Sequence, residues 1–224
     1  MTLSYQPGDT KVQDEIRVVP AVGSGRMEPM THTPTERRSP FATALLVVGG
    51  LLAVMWALEI IDTVTLNALD SHGIEPRQFS DLPNILWSPL LHFGWAHLIS
   101  NSVPFLVLGV LTYLSGAVRW LVTTVVSTIT SGLTAWLLAA AGTITAGASG
   151  VVFGYLTYLL VRGIFTKKPS QIIVAIVVFL LYGGVLLGVL PGAPGVSWQA
   201  HLGGAVGGVL AAYLLHSKRE RALR

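Results

Sequence analysis

The chain has 224 residues, of which 52% are hydrophobic and only 11% charged, against roughly 25% charged residues in an ordinary soluble domain. This composition excludes a soluble globular domain and excludes disorder over most of the length; it points to a chain that crosses a membrane several times. Cysteine is absent, which excludes disulfides, thiolate nucleophiles, Fe–S clusters and Cys-ligated zinc. The net charge of +3 is a matter of topology here, as the positions of the charges show.

Residues 1–40 are rich in Pro, Thr, Ser and charges of both signs, with no sustained apolar period, and a disordered cytoplasmic tail is expected there. They lack the apolar stretch after a basic start that marks a signal peptide, and Met27 and Met30 are alternative start positions. Six apolar stretches follow, at 41–61, 98–118, 120–142, 147–161, 171–190 and 198–215. Crossing the hydrocarbon takes about 20 apolar residues. The fourth stretch is short, so its start is expected inside the bilayer. That is tolerated only where the helix end is buried in protein or lines a water-filled cavity.

Lys and Arg set the orientation. Arg37, Arg38, Arg119, Arg162, Lys167, Lys168, Lys218, Arg219, Arg221 and Arg224 all fall on one side of a six-span arrangement. Asp62, Asp70, Glu75 and Asp81, with Arg77, fall on the other. The expected organisation is a six-helix membrane domain over 41–216, both termini cytoplasmic, and a basic tail over 217–224. No internal repeat is visible, which argues against a transporter built from inverted repeats.

No Lys, Arg, Asp or Glu lies within stretches two to six. An aspartyl pair, a His-Glu-x-x-His zinc site and a Ser–Lys dyad are therefore excluded, and Ser with a His base is the nucleophilic pair that remains. Ser149 follows Gly147 and Ala148 and precedes Gly150 at the start of stretch four. Small neighbours leave its hydroxyl accessible, and a helix N-terminus offers N–H groups suited to an oxyanion. The same residues equally suit plain helix packing. His201 stands one turn before Gly204 and nearly in line with Gly204 and Gly208, which fits either a base or a packing histidine. If Gly204 and Gly208 meet Gly150 and Gly154, His201 comes beside Ser149; Gly203→Ala, one position off that seam, is expected to be tolerated better than Gly204→Val or Gly154→Val. His97 and Asn101 are four apart on one helix face, placed to hold an oxyanion or to cap and bond helices. A metal set of His92, His97 and His201 lacks both a carboxylate and a recurring ligand spacing.

Together, His97-x-x-x-Asn101, the Gly-x-Ser-Gly run ending at Gly150, and Ala200-His201 followed by Gly204 and Gly208, in that order on six spans, resemble the rhomboid family of intramembrane serine proteases. The resemblance covers about residues 39–216. It implies an all-α bundle of six transmembrane helices with a short fourth helix, and a Ser–His dyad without a third acid. Ser149 is then the nucleophile and His201 the general base, with the Ser149 N–H, His97 and Asn101 as the oxyanion hole. Phe153 takes the place of an aromatic residue stacked on the catalytic imidazole, His92 matches an additional family histidine, and Gly147, Gly150, Gly154, Gly204 and Gly208 permit tight contact. Transmembrane proteins in the bilayer are the implied substrates, cut after a small residue; no metal, cofactor or nucleic acid is implied, and a bacterial inner membrane is the simplest location. One departure stands out: many members carry Trp-Arg thirteen to fourteen residues before the first motif's His, where this chain has Pro83 and Asn84, so a locally different loop is expected. The alternative reading is an inactive rhomboid-like protein that binds transmembrane helices for quality control. A small transporter or channel is a third, and it lacks the intramembrane charges that ion coupling uses.

Overall fold

The computed structural model describes residues 39–221, with side chains to residue 216. The tail expected over 1–40 therefore lies outside the described residues except at Ser39 and Pro40. Six α-helices follow one another: α1 (Pro40–Val64), α2 (Trp95–Leu114), α3 (Ala117–Leu138), α4 (Ser149–Thr166), α5 (Pro169–Tyr182) and α6 (Trp198–Arg221). Local chemistry fixes several ends. Ser39 Oγ accepts the Ala42 N–H at 3.1 Å with Pro40 in the first turn, the usual start of a helix. Gly116, at φ 133°, makes the short link from α2 to α3. After Tyr182 the α5 helix tightens into a 3₁₀ segment, Gly183–Val189.

Five segments are long and apolar enough to cross a membrane: α1, α2, α3, α4, and α5 together with its 3₁₀ continuation to Val189. The sixth has 24 residues, but its first turns hold Gln199, His201 and four glycines, which serve packing and the site described below. Large apolar side chains cover the outside, among them Ile60 on α1, Leu121 on α3 and Leu180 and Leu181 on α5. Such a surface would aggregate in water and is what lipid requires.

The helices are far from equivalent. Every residue of α4 from 151 to 159 is buried, so this helix is apolar on all sides because it sits at the centre. In α5 only Val178 is buried. Two boundaries differ from those expected. The α4 helix runs to Thr166 and takes in Arg162, while Arg119 lies in the first turn of α3, so both arginines are helical end residues and not loop residues. The basic tail expected from 217 is helical as far as Arg221. The α4 helix, with 18 residues, is the shortest of the five apolar spans, as expected; α5 with its 3₁₀ continuation forms a span of 21 residues, Pro169–Val189.

The connection from α1 to α2 is built from 3₁₀ turns at Ala68–His72, Phe79–Leu86 and Ser88–Leu90. It is clamped to the far end of α3 and to the segment before α4. Ile74 and Thr145 exchange main-chain hydrogen bonds at 2.9 and 3.0 Å. The Arg77 guanidinium donates to the carbonyls of Leu137 at 3.2 Å and Ala139 at 2.9 Å, and Trp136 Nε1 donates to the Gln78 carbonyl at 2.8 Å. At the position of the family departure, Asn84 Nδ2 donates to the Gly73 carbonyl at 2.7 Å, and the neighbouring Ile85 fills the space over Gly132. Burial and the nearby Asp62 carboxylate push the Asp70 carboxyl in this region above the ordinary range.

Candidate active site

Glycines bring the helices together. A Cβ on Gly204 would collide with the Gly150 carbonyl, and one on Gly208 with the Gly154 carbonyl and Thr157 Oγ1. The α4 and α6 backbones therefore touch directly. Thr157 Oγ1 donates across this seam to the Ala205 carbonyl at 2.8 Å. Gly150 and Gly154 also face Ser131 and Ser127 of α3, and Ser131 Oγ donates to the Ala200 carbonyl at 2.8 Å. Gly203 corrects the sequence reading. Its Cβ would meet the Thr130 carbonyl and the Thr134 side chain. It belongs to a second seam, between α6 and α3, that Gly207 continues against Thr130 and Ser127; a larger side chain is not accommodated.

This packing sets the distance between α4 and α6 at their N-terminal ends. Ser149 is the first residue of α4, and its Oγ lies 2.9 Å from His201 Nε2. His201 Nδ1 lies 2.9 Å from the Gly188 carbonyl oxygen. A carbonyl can only accept, so Nδ1 carries the proton; Nε2 is then the acceptor for the Ser149 hydroxyl. The Phe153 ring stacks on the imidazole with centroids 4.3 Å apart and planes at 15°. The Gly188 contact was not anticipated. Its one signal in the chain is the glycine itself, since a Cβ there would stand 3.0 Å from Phe153 Cζ and 3.1 Å from His201 Nδ1.

The other wall comes from α2 and the segment before α4. Gly147 adopts φ +121°, and its missing side chain makes room for the His97 ring, which a Cβ would approach to 2.6 Å. The loop before α2 holds this segment: the Gly147 N–H donates to the Ser88 carbonyl at 2.9 Å, and the Ala148 N–H donates to His92 Nε2 at 3.3 Å. Burial, with His97 nearby, pushes His92 down to about 4. It is thus a neutral acceptor at physiological pH, set edge-on to His97 with ring centroids 5.1 Å apart. Asn101 Nδ2 donates to the His97 carbonyl at 3.2 Å, a bond within its own helix. His97, Asn101, Gly147, Ser149, Phe153 and His201 all line one cavity of about 710 Å³, bordered by the loops preceding α4 and α6. Among the described residues, no group of three or more His, Cys, Asp or Glu side chains is placed to hold a metal ion.

The family model for the Rhomboid domain matches residues 80–218. Uncharacterized proteins of Mycobacterium bovis and Mycobacterium tuberculosis are 40% identical to this chain over 198 residues, covering 85% of it and 82% of their own length. An uncharacterized protein of Mycobacterium leprae is 40% identical over 203 residues, covering 86% of this chain and 80% of its own. The Rhomboid-like protease 5 of Toxoplasma gondii is 29% identical over 151 residues, which are 65% of this chain and 17% of that protein.

Proposed function

The chain belongs to the rhomboid family, and from that premise we propose that it is an intramembrane serine endopeptidase. The observation that carries the proposal is the 2.9 Å hydrogen bond between Ser149 Oγ and His201 Nε2 inside a cavity among the helices. A serine with a histidine base in hydrogen-bond reach is the arrangement nucleophilic acyl transfer needs.

In this mechanism His201 Nε2 takes the proton as Ser149 Oγ attacks the substrate carbonyl. Negative charge develops on the carbonyl oxygen, where the Ser149 N–H at the start of α4 and the side chains of His97 and Asn101 serve as donors. The imidazolium gives its proton to the leaving amine, and an acyl-enzyme remains on Ser149. Water from the cavity hydrolyses it, with His201 again as base. A carbonyl inside a helix is already hydrogen-bonded, so a transmembrane substrate must unwind locally, and small or helix-weak residues at the cut favour that. The bias of Lys and Arg supports cytoplasmic termini and a site near the opposite face, in a bacterial inner membrane. The test is cleavage of a transmembrane reporter in liposomes by the wild type, Ser149→Ala and His201→Ala, with and without a chelator. Cleavage by the wild type alone, indifferent to the chelator, is expected; a wild type that binds the reporter without cutting it makes the chain the inactive helix-binding relative.

A further inference from the structure

We propose that the main-chain carbonyl of Gly188 is the positioning group of the dyad, taking the Nδ1–H bond that a carboxylate takes in a Ser–His–Asp triad. The inference rests on the reading of Ser149 and His201 given above. An imidazole held only through Nε2 can rotate and can exchange tautomers. With the proton on Nε2 it cannot accept from Ser149, and the dyad is idle. Gly188 removes that freedom: its oxygen stands 2.9 Å from Nδ1, and a neutral carbonyl can only accept. Phe153 closes one face of the ring at 4.3 Å. Nδ1, Nε2 and one ring face are thus each assigned to a single partner.

Space at this position favours glycine. A Cβ there would stand 3.0 Å from Phe153 Cζ and 3.1 Å from Nδ1, a tight contact that presses on the two rings the segment faces. The acceptor also comes from an unusual place. The segment Gly183–Val189 has no buried residue, and α5 before it buries only Val178. The catalytic base is therefore oriented by the least embedded of the five apolar spans. Displacing this segment frees Nδ1 and lets the imidazole adopt the tautomer that cannot serve Ser149. A carboxylate would orient and also stabilise the imidazolium by charge; the carbonyl chiefly orients.

The test replaces the Val189 amide with an ester, by incorporating the α-hydroxy analogue of valine. The Gly188 carbonyl then becomes an ester carbonyl, a weaker acceptor, with side chains unchanged. An ester at Leu187 is the control; it perturbs the same 3₁₀ turn and leaves the Gly188 oxygen an amide oxygen. The readouts are ¹⁵N shifts of the His201 ring in liposomes, the labelling rate of Ser149 by a fluorophosphonate, and kcat and KM separately. In the wild type the proton is expected on Nδ1. One neutral hydrogen bond is worth about 0.5–1.5 kcal/mol, so the Val189 ester is expected to lower kcat and labelling about two- to tenfold, to leave KM unchanged and to raise the Nε2–H population. The Leu187 ester is expected to do none of these. A wild type with its proton on Nε2, or a Val189 ester no different from the Leu187 ester, overturns the assignment. If the wild type is not labelled at all, the protease reading fails, while the ring shifts still decide the role of Gly188.

Discussion

The centre of the bundle and its α5 edge hold opposite ends of the same imidazole, and they are built in opposite ways. At the centre, α3, α4 and α6 meet through glycines and small hydroxyl residues, with backbone against backbone at Gly204 and Gly150 and at Gly208 and Gly154. At the edge, α5 and its 3₁₀ extension bury one side chain between them. Yet Nε2 reaches a residue of the centre and Nδ1 a carbonyl of the edge. The lesson is that position in this site is set by tight packing on one side and by a main-chain hydrogen bond on the other. The two sides should fail differently: damage to the centre costs fold and activity together, and damage to the edge costs activity first.

The largest effects are expected from the dyad. Ser149→Ala and His201→Ala should abolish cleavage and leave the melting temperature close to wild type, because neither leaves a buried charge without a partner. Next come the seams. Gly204→Val or Gly154→Val should force the helix axes apart by about 1 Å or more, and a misplacement of that size can cost about 10²-fold in rate; melting temperature should fall with it. Gly203→Ala belongs in this class, since its Cβ meets a main-chain carbonyl of α3. Leu180→Ala, on the exposed face of α5, is the contrasting substitution and should change neither stability nor cleavage measurably. A Gly204→Val variant with wild-type cleavage and melting would break the contrast at its root.

Smaller effects sharpen it. Removing one oxyanion donor typically costs roughly 10²–10³ in turnover, so His97→Ala and Asn101→Ala should lower kcat within that range with little change in KM. Full turnover in both would make them capping and packing residues, a role the bond from Asn101 to the His97 carbonyl already illustrates. The last effect is one of pH. His92 is held neutral, with its proton affinity pushed down to about 4 from an ordinary value near 6.5. A depressed histidine contributes stability that is present above pH ~6.5 and is lost as pH falls towards ~4, up to about 3 kcal/mol. Asp70, pushed upward, acts in the opposite sense: its contribution is present at low pH and is lost as pH rises through its raised value. Melting curves over this range should therefore show an acid-side loss that His92→Gln removes. An unchanged slope in that variant would take His92 out of the account.

Much of this was legible in the residues. The three motifs lie on the ends of α2, α4 and α6 that converge on one cavity, and the stripe of Gly204 and Gly208 does face Gly150 and Gly154. What stayed hidden has physical reasons. A main-chain acceptor such as the Gly188 carbonyl has no side-chain signature, so nothing distinguishes that glycine from its neighbours Gly183 and Gly184. Gly203 was misread because adjacent glycines on one helix can serve two partners, and a one-stripe reading sees only the first. Arg119 and Arg162 looked like loop residues because charge marks the membrane edge and not the end of the helix. The clamp on the first loop, through Arg77 and Trp136, joins residues about sixty apart in the chain, beyond the reach of any local pattern.

The most direct measurement of the central claim is the mass of the protein after reaction with a fluorophosphonate in liposomes, followed by mapping of the modified peptide. One adduct, on Ser149, lost in both Ser149→Ala and His201→Ala, is the expected result. No adduct on the wild type, or an adduct that persists on Ser149 when His201 is alanine at an undiminished rate, would contradict a nucleophile activated by that histidine.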